Sequence, residues 1–404
     1  MKLRKSVKSA MKALEIKELR RNQLKPINSI LDGHDTMVVA PTSFGKSLIY
    51  QIPAVVSDDL TVVIEPLLAL MHDQADKLNQ LHIPAACLDS TLTDKERSNL
   101  WEKLDHREVK ILFLSPEQLE KGTLHSVALR NHIGIVVVDE CHCVTMWGST
   151  FRGGYLKIGK HLDKLPYHPT VVALSASVVP EDRETIMDSL GMVDAELYAL
   201  PLYRRDLIFS KKRAGSRKES VKELLRQIKK HHRHTTIIFC NTVKAVEHTV
   251  RKLEEKYPGE VILYHGRNKR HEREMLAGEK HIIVATSALS LGVDLRNVDL
   301  VIHFNMPLSL AEYSQMAGRA GREGQKARSI LIYNPDDYHT NYGLLQSIED
   351  EDAKEQAIRR LDEMKEFCED DDHCMVKRLL DALGDKHAKK CRYCSNCQKA
   401  RRSV

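Results

Sequence analysis

The chain has 404 residues, which exceeds one ordinary hydrophobic core and predicts two or three domains. No apolar run is long enough to span a membrane, and the charges distributed through residues 1–21 indicate a basic helix rather than a signal peptide. The net charge of +6, from 62 basic and 56 acidic residues, fits a polyanionic partner only slightly better than an ordinary mixed surface.

Short runs rich in Val and Ile recur along the chain, and each ends in a polar or glycine-containing motif. Because they are apolar at consecutive positions, they predict strands that are buried on both faces. Amphipathic stretches between them predict helices, and this alternation predicts parallel sheets covered by helices. The predicted strands are 36–41, 61–66, 109–116, 133–140, 170–177, 235–241, 261–266, 281–286, 300–305 and 329–334.

These strands fall into two sets. The polar, basic segment 203–219 between the sets contains Gly215 and Ser216 and predicts a linker. From about residue 346, an acidic helical stretch and a cysteine cluster replace the strand pattern. We therefore predict an α/β protein with two parallel-sheet domains in tandem and a small helical zinc-binding module. The predicted domains are 1–205, 206–345 and 346–404.

The segment APTSFGKS at 40–47 lies between a predicted strand and a predicted helix. A loop in this position points backbone N–H groups and a helix N-terminus at an anion. Lys46 would reach the β- and γ-phosphates of a nucleotide, and the Ser47 hydroxyl would bind Mg²⁺. The residues predicted to surround the phosphates are Thr42, Ser43, Phe44, Gly45, Lys46 and Ser47.

The motif DECH at 139–142 follows the predicted strand IGIVVV. Two adjacent carboxylates at a strand end repel each other without a cation. Asp139 is therefore predicted to bind Mg²⁺, and Glu140 to orient and deprotonate the attacking water. His142 would link this site to the other domain. Outside this motif, a structural histidine would be the better interpretation of His142.

Arg319 and Arg322 lie three residues apart in AGRAGREG, a spacing that predicts one face of a helical turn. Guanidinium groups there would stabilise the charge that spreads over a transferring phosphoryl group. A solvated basic helix end is the alternative. Gly318, Gly321 and Gly324 argue against it, because each lowers helix stability by about 1 kcal/mol relative to alanine.

If Lys46 and the two arginines serve one nucleotide, ATP lies in a cleft between two domains, and hydrolysis opens and closes that cleft. Such an arrangement is typical of a motor. The residues predicted to carry the reaction are Lys46, Asp139, Glu140, Gln315, Arg319 and Arg322.

Four of the nine cysteines, all in the last predicted module, have the spacing C-x16-C-x2-C-x2-C. This spacing favours a Zn²⁺ site with four thiolates: Cys374, Cys391, Cys394 and Cys397. The possible substitute ligands are Cys368, His373 and His387. Five scattered thiols indicate a reducing, intracellular compartment, which argues against disulfides.

With these motifs, residues 15–400 resemble the RecQ-type DNA helicases of the DEAD/DEAH-related superfamily. The resemblance extends to LRRNQ (19–23), SLIYQIPA (47–54), PLLALMHDQ (66–74), CHCVTMWGSTFR (141–152), LSAS (174–177) and ATSALSLGVD (285–294). It implies two RecA-like domains, ATP, Mg²⁺ and Zn²⁺ as cofactors, and single-stranded or partly duplex DNA as partner. LSAS is similar to the motif that couples the domains.

The resemblance also implies roles for individual residues. Gln23 and Arg20 would contact adenine, and Asp294 would belong to the nucleotide site. The residues implied to sense single-stranded DNA and to signal to Glu140 and His142 are Trp147, Phe151 and Arg152. For Trp147, packing in the core is an equally good interpretation. Those implied to contact DNA phosphates are Asn241, Thr242, His265 and Thr286. For each of these four, a structural cap at a strand end is an equally good interpretation.

The preferred function is an ATP-dependent DNA helicase that moves 3′ to 5′. The chain stops seven residues after Cys397, so we expect it to lack the winged-helix and HRDC domains of many RecQ proteins. A protein partner would then replace the winged helix, or the chain would be a translocase that unwinds weakly. A zinc-stabilised DNA-binding adaptor with little ATP turnover and an RNA helicase are further alternatives. The expected location is the nucleus in a eukaryote and the cytoplasm in a bacterium.

Overall fold

The computed structural model describes residues 3–41, 44–145, 152–265, 281–290, 295, 297–322, 324–385 and 390–402. The chain divides into two compact units, Met1–Leu200 and Pro201–Val404. Within the described segments, no helix combines the length and the apolar character that a membrane crossing requires.

The first unit is built on a parallel sheet of seven strands in the order β3-β4-β2-β5-β6-β1-β7. Its strands are β1 (Thr36–Val39), β2 (Leu60–Ile64), β3 (Ala85–Leu88), β4 (Ile111–Leu114), β5 (Ile133–Val138), β6 (Thr170–Ser175) and β7 (Glu196–Ala199). Its described helices are α1 (Lys5–Ala13), α2 (Leu24–Leu31), α3 (Ser47–Val56), α4 (Leu68–Gln80), α5 (Asp94–Asp105), α6 (Pro116–Leu119), α7 (Thr123–Ala128), α8 (Arg152–Tyr155), α9 (Ile158–Leu162), α10 (Pro180–Ser189) and a 3-10 helix, Cys141–Val144.

The core of the first unit forms because the inner strands of the sheet are almost entirely buried. β1, β2 and β4 are buried at every position. Val38 and Phe113 of the sheet pack in one apolar cluster with Ile49 and Ile52 of α3. Burying each such side chain contributes about 1.5–3 kcal/mol, so this cluster fixes α3, and the loop before it, against the sheet.

The second unit contains a parallel sheet of six strands in the order β10-β11-β9-β12-β13-β8. Its strands are β8 (Leu207–Arg213), β9 (Thr235–Phe239), β10 (Val261–Tyr264), β11 (Ile282–Ala285), β12 (Val298–His303) and β13 (Ala327–Tyr333). Its described helices are α11 (Arg217–His231), α12 (Val243–Glu254), α13 (Leu310–Ala317), α14 (Asp336–Leu345), α15 (Glu351–Glu369), α16 (Met375–Ala382), α17 (Ser395–Arg402) and a 3-10 helix, Ser287–Ser290.

Side-chain caps fix the first residue of several helices. Thr93 and Glu96 form a reciprocal capping box at the start of α5. Ser309 accepts a hydrogen bond from the Glu312 backbone N–H before α13, at 3.1 Å. Each such cap satisfies a backbone donor that the helix leaves open, and contributes about 1 kcal/mol.

All ten predicted strands are present, and the predicted fold class is confirmed. Three further strands, β3, β7 and β8, were not predicted. Each lies at the edge of its sheet and carries partly exposed residues. β7 and β8 include polar residues, and β3 (AACL) is apolar but contains neither Val nor Ile, so none has the Val- and Ile-rich run of a central strand. The prediction of a linker over 203–219 is therefore wrong for 207–213, which is strand β8, and for 217–219, which begin α11.

A buried lysine joins the C-terminal helices to the edge strand β8. The ammonium group of Lys211 donates to the backbone carbonyls of Phe367 and Cys368 at 3.2 and 2.9 Å, and to that of Asp370. It also lies 3.3 Å from the Asp371 carboxylate. The cationic group thus holds the end of α15, immediately before the first cysteine of the cluster.

Replacing Lys211 by methionine is expected to lower the free energy of unfolding by about 2–4 kcal/mol, because buried carbonyls lose a charged donor. Urea unfolding of the full chain measures the change. Lys212→Met is the matched control, since the neighbouring lysine is exposed and its replacement should change stability by less than about 0.5 kcal/mol. Equal urea midpoints for the two variants would contradict the anchoring role.

Candidate active site and metal centre

The predicted phosphate loop lies between the end of β1 and the start of α3 at Ser47. Gly45 has φ +81°, and a Cβ on it would lie 2.9 Å from Nε2 of Gln23. The buried Gln23 amide donates to the carbonyls of Phe44 and Gly45 at 3.0 and 3.2 Å, and its oxygen accepts from the Arg20 N–H at 2.7 Å. Gln23 therefore holds the backbone of the loop in place. This contact requires glycine at position 45, because any other residue would place its Cβ against the Gln23 amide and would be strained at this φ.

The acidic pair lies at the end of β5. The Asp139 N–H donates to the Ile64 carbonyl at 3.0 Å, which continues the pairing of β5 with β2. The Tyr155 hydroxyl donates to the Asp139 carbonyl at 2.8 Å. Glu140 has φ +48°, a left-handed conformation that costs a non-glycine residue of order 1–3 kcal/mol. This conformation turns the chain out of the direction of β5 at Glu140, the residue predicted to activate the attacking water.

Electrostatics around the pair fit a bound cation. Burial and the neighbouring Glu140 charge raise the pKa of Asp139 to about 6, while Lys46 acts in the opposite direction. Burial and the Asp139 and Glu140 charges also raise the pKa of Glu65 well above its usual range. Because Mg²⁺ prefers carboxylate and hydroxyl oxygens, Asp139 and Ser47 are a suitable donor pair for this ion.

A short chain of polar contacts connects the DECH and LSAS motifs. His142 Nδ1 lies 3.3 Å from Oε2 of Glu140 and 2.9 Å from the Ser175 hydroxyl oxygen. The Ser177 N–H donates to the same hydroxyl oxygen at 3.2 Å. The side chain predicted to activate water is thus linked, through one imidazole, to the loop after β6.

In the second unit, Gln315 lies buried in α13, and the two arginines follow that helix. The prediction that Arg319 and Arg322 lie on one face of a helical turn is wrong. α13 ends at Ala317, and both lie in the turns beyond it, where Gly321 has φ +66°. The Arg319 guanidinium is buried and donates to the Ser290 carbonyl.

Two residues of the supposed linker hold this arginine-bearing turn. The Arg204 guanidinium donates to the carbonyls of Gly318 and Gly321 at 3.4 and 2.6 Å, and it pairs with the Asp206 carboxylate. A Cβ on Gly321 would lie 2.8 Å from the Arg204 guanidinium and 2.8 Å from the Gln325 carbonyl oxygen. The close packing and the left-handed backbone both require glycine here.

Gly321→Ala is therefore expected to destabilise the protein by about 1–3 kcal/mol through strain at positive φ, with the clash in addition. Gly343→Ala is the matched control. Gly343 lies inside α14 with open space around its Cβ position, so alanine there should stabilise by roughly 0.5–1 kcal/mol. Urea unfolding measures both, and a Gly321→Ala variant as stable as the wild type would refute the packing argument.

The four predicted zinc ligands come together in the second unit. Their sulfur atoms all lie within 4.8 Å of one another. The Cys374 sulfur is 3.5 Å from that of Cys391 and 3.9 Å from that of Cys394. Four thiolates bound tetrahedrally at 2.3 Å to one Zn²⁺ would be about 3.8 Å apart, so the arrangement fits this ion.

Backbone groups support the same cluster. The N–H of Cys391 donates to the Cys374 sulfur, and the N–H of Cys394 donates to the Cys391 sulfur, both at 3.3 Å. Such bonds stabilise the thiolate form that binds metal. Of the possible substitutes, Cys368 is buried in α15 and His373 pairs with Asp370, and neither belongs to the cluster. His387 lies outside the described residues.

Comparison with known proteins assigns the chain to a family. The DEAD/DEAH box helicase model matches residues 20–186, the helicase conserved C-terminal domain model matches 217–324, and the RecQ zinc-binding model matches 335–398. The probable ATP-dependent DNA helicase RecS of Bacillus subtilis is 32% identical over 372 residues, which cover 90% of this chain and 73% of that protein. The chain belongs to the RecQ family of DNA helicases.

Another relative is the ATP-dependent DNA helicase hus2/rqh1 of Schizosaccharomyces pombe, 34% identical over 392 residues. That match covers 93% of this chain but 29% of the yeast protein. The RecQ helicases of Bacillus subtilis, Haemophilus influenzae and Pasteurella multocida are likewise matched over 60–62% of their length. Mycobacterium smegmatis Lhr, solved with single-stranded DNA and AMP-PNP, shares the fold with a TM-score of 0.67 at 19% identity, over 90% of this chain and 57% of Lhr.

The implied DNA contacts of this RecQ-family chain lie at strand ends of the second sheet. Asn241 donates to the Met306 carbonyl and the Asn341 side chain, each at 2.6 Å. Thr242 caps α12 by accepting from the Ala245 N–H. His265 and Thr286 follow β10 and β11. All four side chains lie at the carboxyl edge of a parallel sheet, where ligands of open α/β sheets bind.

Several predicted site residues lie outside the described residues: Thr42, Ser43, Trp147, Phe151 and Asp294. Arg152 begins α8 and is described through its backbone alone. Their roles stay predictions.

Three residues around these sites were not predicted from the sequence. Glu65 follows β2 directly, and Arg204 and Asp206 precede β8. The pattern that identified Asp139, a carboxylate immediately after a buried apolar run, could have identified Glu65 as well. Nothing in the local pattern around Arg204 points to Gly321, because the contact spans more than a hundred residues.

Proposed function

We propose that this chain is an ATP-dependent DNA helicase that moves 3′ to 5′ along single-stranded DNA and unwinds duplexes. The names of its RecQ relatives support the activity. The observation that carries the proposal is the contact series from Glu140 through His142 to Ser175. This series connects the group that would activate water to the motif that in this family couples the two RecA-like domains.

In the first unit, Lys46 would neutralise the β- and γ-phosphates of ATP, and Asp139 with Ser47 would hold the magnesium ion. Glu140 would accept a proton from the attacking water. Gln23 and Arg20 would contact the adenine. The bound ion would neutralise charge that develops on the phosphates.

In the second unit, we propose that Arg319 and Arg322 contact the γ-phosphate in the closed state, with Gln315 beside them. Arg319 would then exchange the Ser290 carbonyl for a phosphate oxygen. An arginine that contacts only the transition state accelerates hydrolysis without tightening substrate binding. The Arg204 contacts would keep the turn in place during this exchange.

We further propose that the carboxyl edge of the second sheet binds the DNA backbone through Asn241, Thr242, His265 and Thr286. Amide, hydroxyl and imidazole groups suit phosphate contacts that carry no sequence information. Trp147 and Phe151 would stack on bases, since base stacking on aromatic rings is tolerant of sequence.

The proposal is tested by measuring the rate of ATP hydrolysis by the full chain without polymer, with single-stranded DNA and with single-stranded RNA. We expect single-stranded DNA, and not RNA, to stimulate ATP hydrolysis strongly. Equal stimulation by RNA would favour an RNA helicase, and no turnover with any polymer would favour a DNA-binding adaptor.

Strand displacement on duplexes with a 3′ or a 5′ tail tests polarity, and stimulated hydrolysis without displacement would indicate a translocase.

A further inference from the structure

Glu65 is a buried carboxylate at the end of β2, the strand that pairs with β5. Its side chain is 0% exposed. Its own N–H donates to the Leu114 carbonyl, and the Asp139 N–H donates to the Ile64 carbonyl beside it, both at 3.0 Å. Glu65 therefore leaves the sheet at the same edge as Asp139, one strand away.

One oxygen of Glu65 has a partner and the other does not. Oε1 accepts from the Leu67 N–H at 3.2 Å. Oε2 is buried and has no hydrogen-bond partner among the residues that the structure describes. A buried carboxylate oxygen without a donor is costly, by about 1–3 kcal/mol or more for a charged group, so such an oxygen points to a missing ligand.

The charges around Glu65 favour a cation as that ligand. Asp139, Glu140 and Lys46 are the charged groups that act on its carboxylate. When all three carboxyl groups are ionised, they and the one ammonium group leave two negative charges in excess. A divalent cation balances this excess, and an additional anion or a neutral molecule would not.

We propose that Glu65 is a third acidic group of the magnesium site and that it binds a water ligand of the ion. The ligand atoms of the three acidic residues do not form a compact cluster like that of the cysteines. An indirect contact is therefore expected, and Mg²⁺ characteristically keeps several of its waters in protein sites. This inference rests on the proposed ATP site and adds a residue that positions the ion within it.

The test is binding of fluorescently labelled ADP to the full chain across a titration of Mg²⁺, starting in EDTA. Loss of an outer-sphere partner typically weakens metal affinity about 10–100-fold. For Glu65→Gln, we expect the half-saturating Mg²⁺ concentration to rise by about this factor, with ADP affinity in EDTA unchanged within about twofold. Glu184→Gln, an exposed carboxylate of α10, is the control that should leave the titration unchanged.

The outcomes separate this inference from the proposed function. If the wild type binds no ADP with or without Mg²⁺, the nucleotide site itself is wrong. If the wild type binds Mg²⁺-ADP and Glu65→Gln has the same Mg²⁺ midpoint, Glu65 is only a neutral structural acid and the inference fails. Glu65→Ser removes the carboxylate without filling its space. This variant replaces Glu65→Gln in the titration if the glutamine variant does not fold. It should give the same shift in midpoint.

Discussion

Glu140→Gln is expected to lower DNA-stimulated ATP hydrolysis by about 10²–10⁴-fold, the usual contribution of a general base. The amide keeps the size and the polar contacts of the side chain but cannot accept the proton of the attacking water. Since Glu140 would act on the water and not on the nucleotide, we expect ATP affinity to change by less than about tenfold. Steady-state hydrolysis and equilibrium binding of labelled ATP measure the two quantities separately.

Two further variants define the interpretation of this result. Lys46→Ala should lose both hydrolysis and ATP affinity, because it removes the charge that contacts the phosphates. Glu102→Gln changes an exposed carboxylate of α5 in the same unit and should keep wild-type turnover. Undiminished turnover in Glu140→Gln or in Lys46→Ala would refute the assignment of the site.

Cys394→Ser is expected to remove zinc from the chain and to unfold the helices around the cluster. Its sulfur is fully buried among the other three thiolates, so serine leaves an incomplete site. Structural zinc sites contribute about 10–16 kcal/mol of apparent binding free energy, far more than the core of so small a module can supply. Elemental analysis should find one zinc per wild-type chain and less than a tenth of that in the variant, with a matching loss of helical circular dichroism.

Cys368→Ser is the matched control, because this thiol is buried in the same group of helices but lies outside the cluster. Its folded fraction should keep one zinc per chain. Stoichiometric zinc in purified Cys394→Ser would show that three thiolates suffice or that the ligand set is wrong.

Much of the arrangement could be predicted from the sequence because it depends on local patterns. Continuous apolar runs such as IGIVVV are buried on both faces wherever they lie in a parallel sheet, so the central strands were predicted. The edge strand Glu196–Ala199 could not be, since its residues are largely exposed and its place depends on pairing with β1. The same reasoning applies to Leu207–Arg213, which was predicted to belong to a linker because the residues around it are polar and basic.

The sequence alone indicated which chemistry to expect: a predicted phosphate loop at Lys46, a carboxylate pair at the end of β5, and four cysteines with the spacing of a zinc site. These depend on residue type and on neighbours within a few positions. Only the tertiary structure decided which distant groups meet, since a contact such as that between Gln23 and the loop at Gly45, or between Arg204 and Gly321, joins segments that the fold brings together. Burial decided in the same way that Glu65 is a candidate third acidic group, because the environment of a carboxylate is a property of the packed sheet and not of its sequence neighbours.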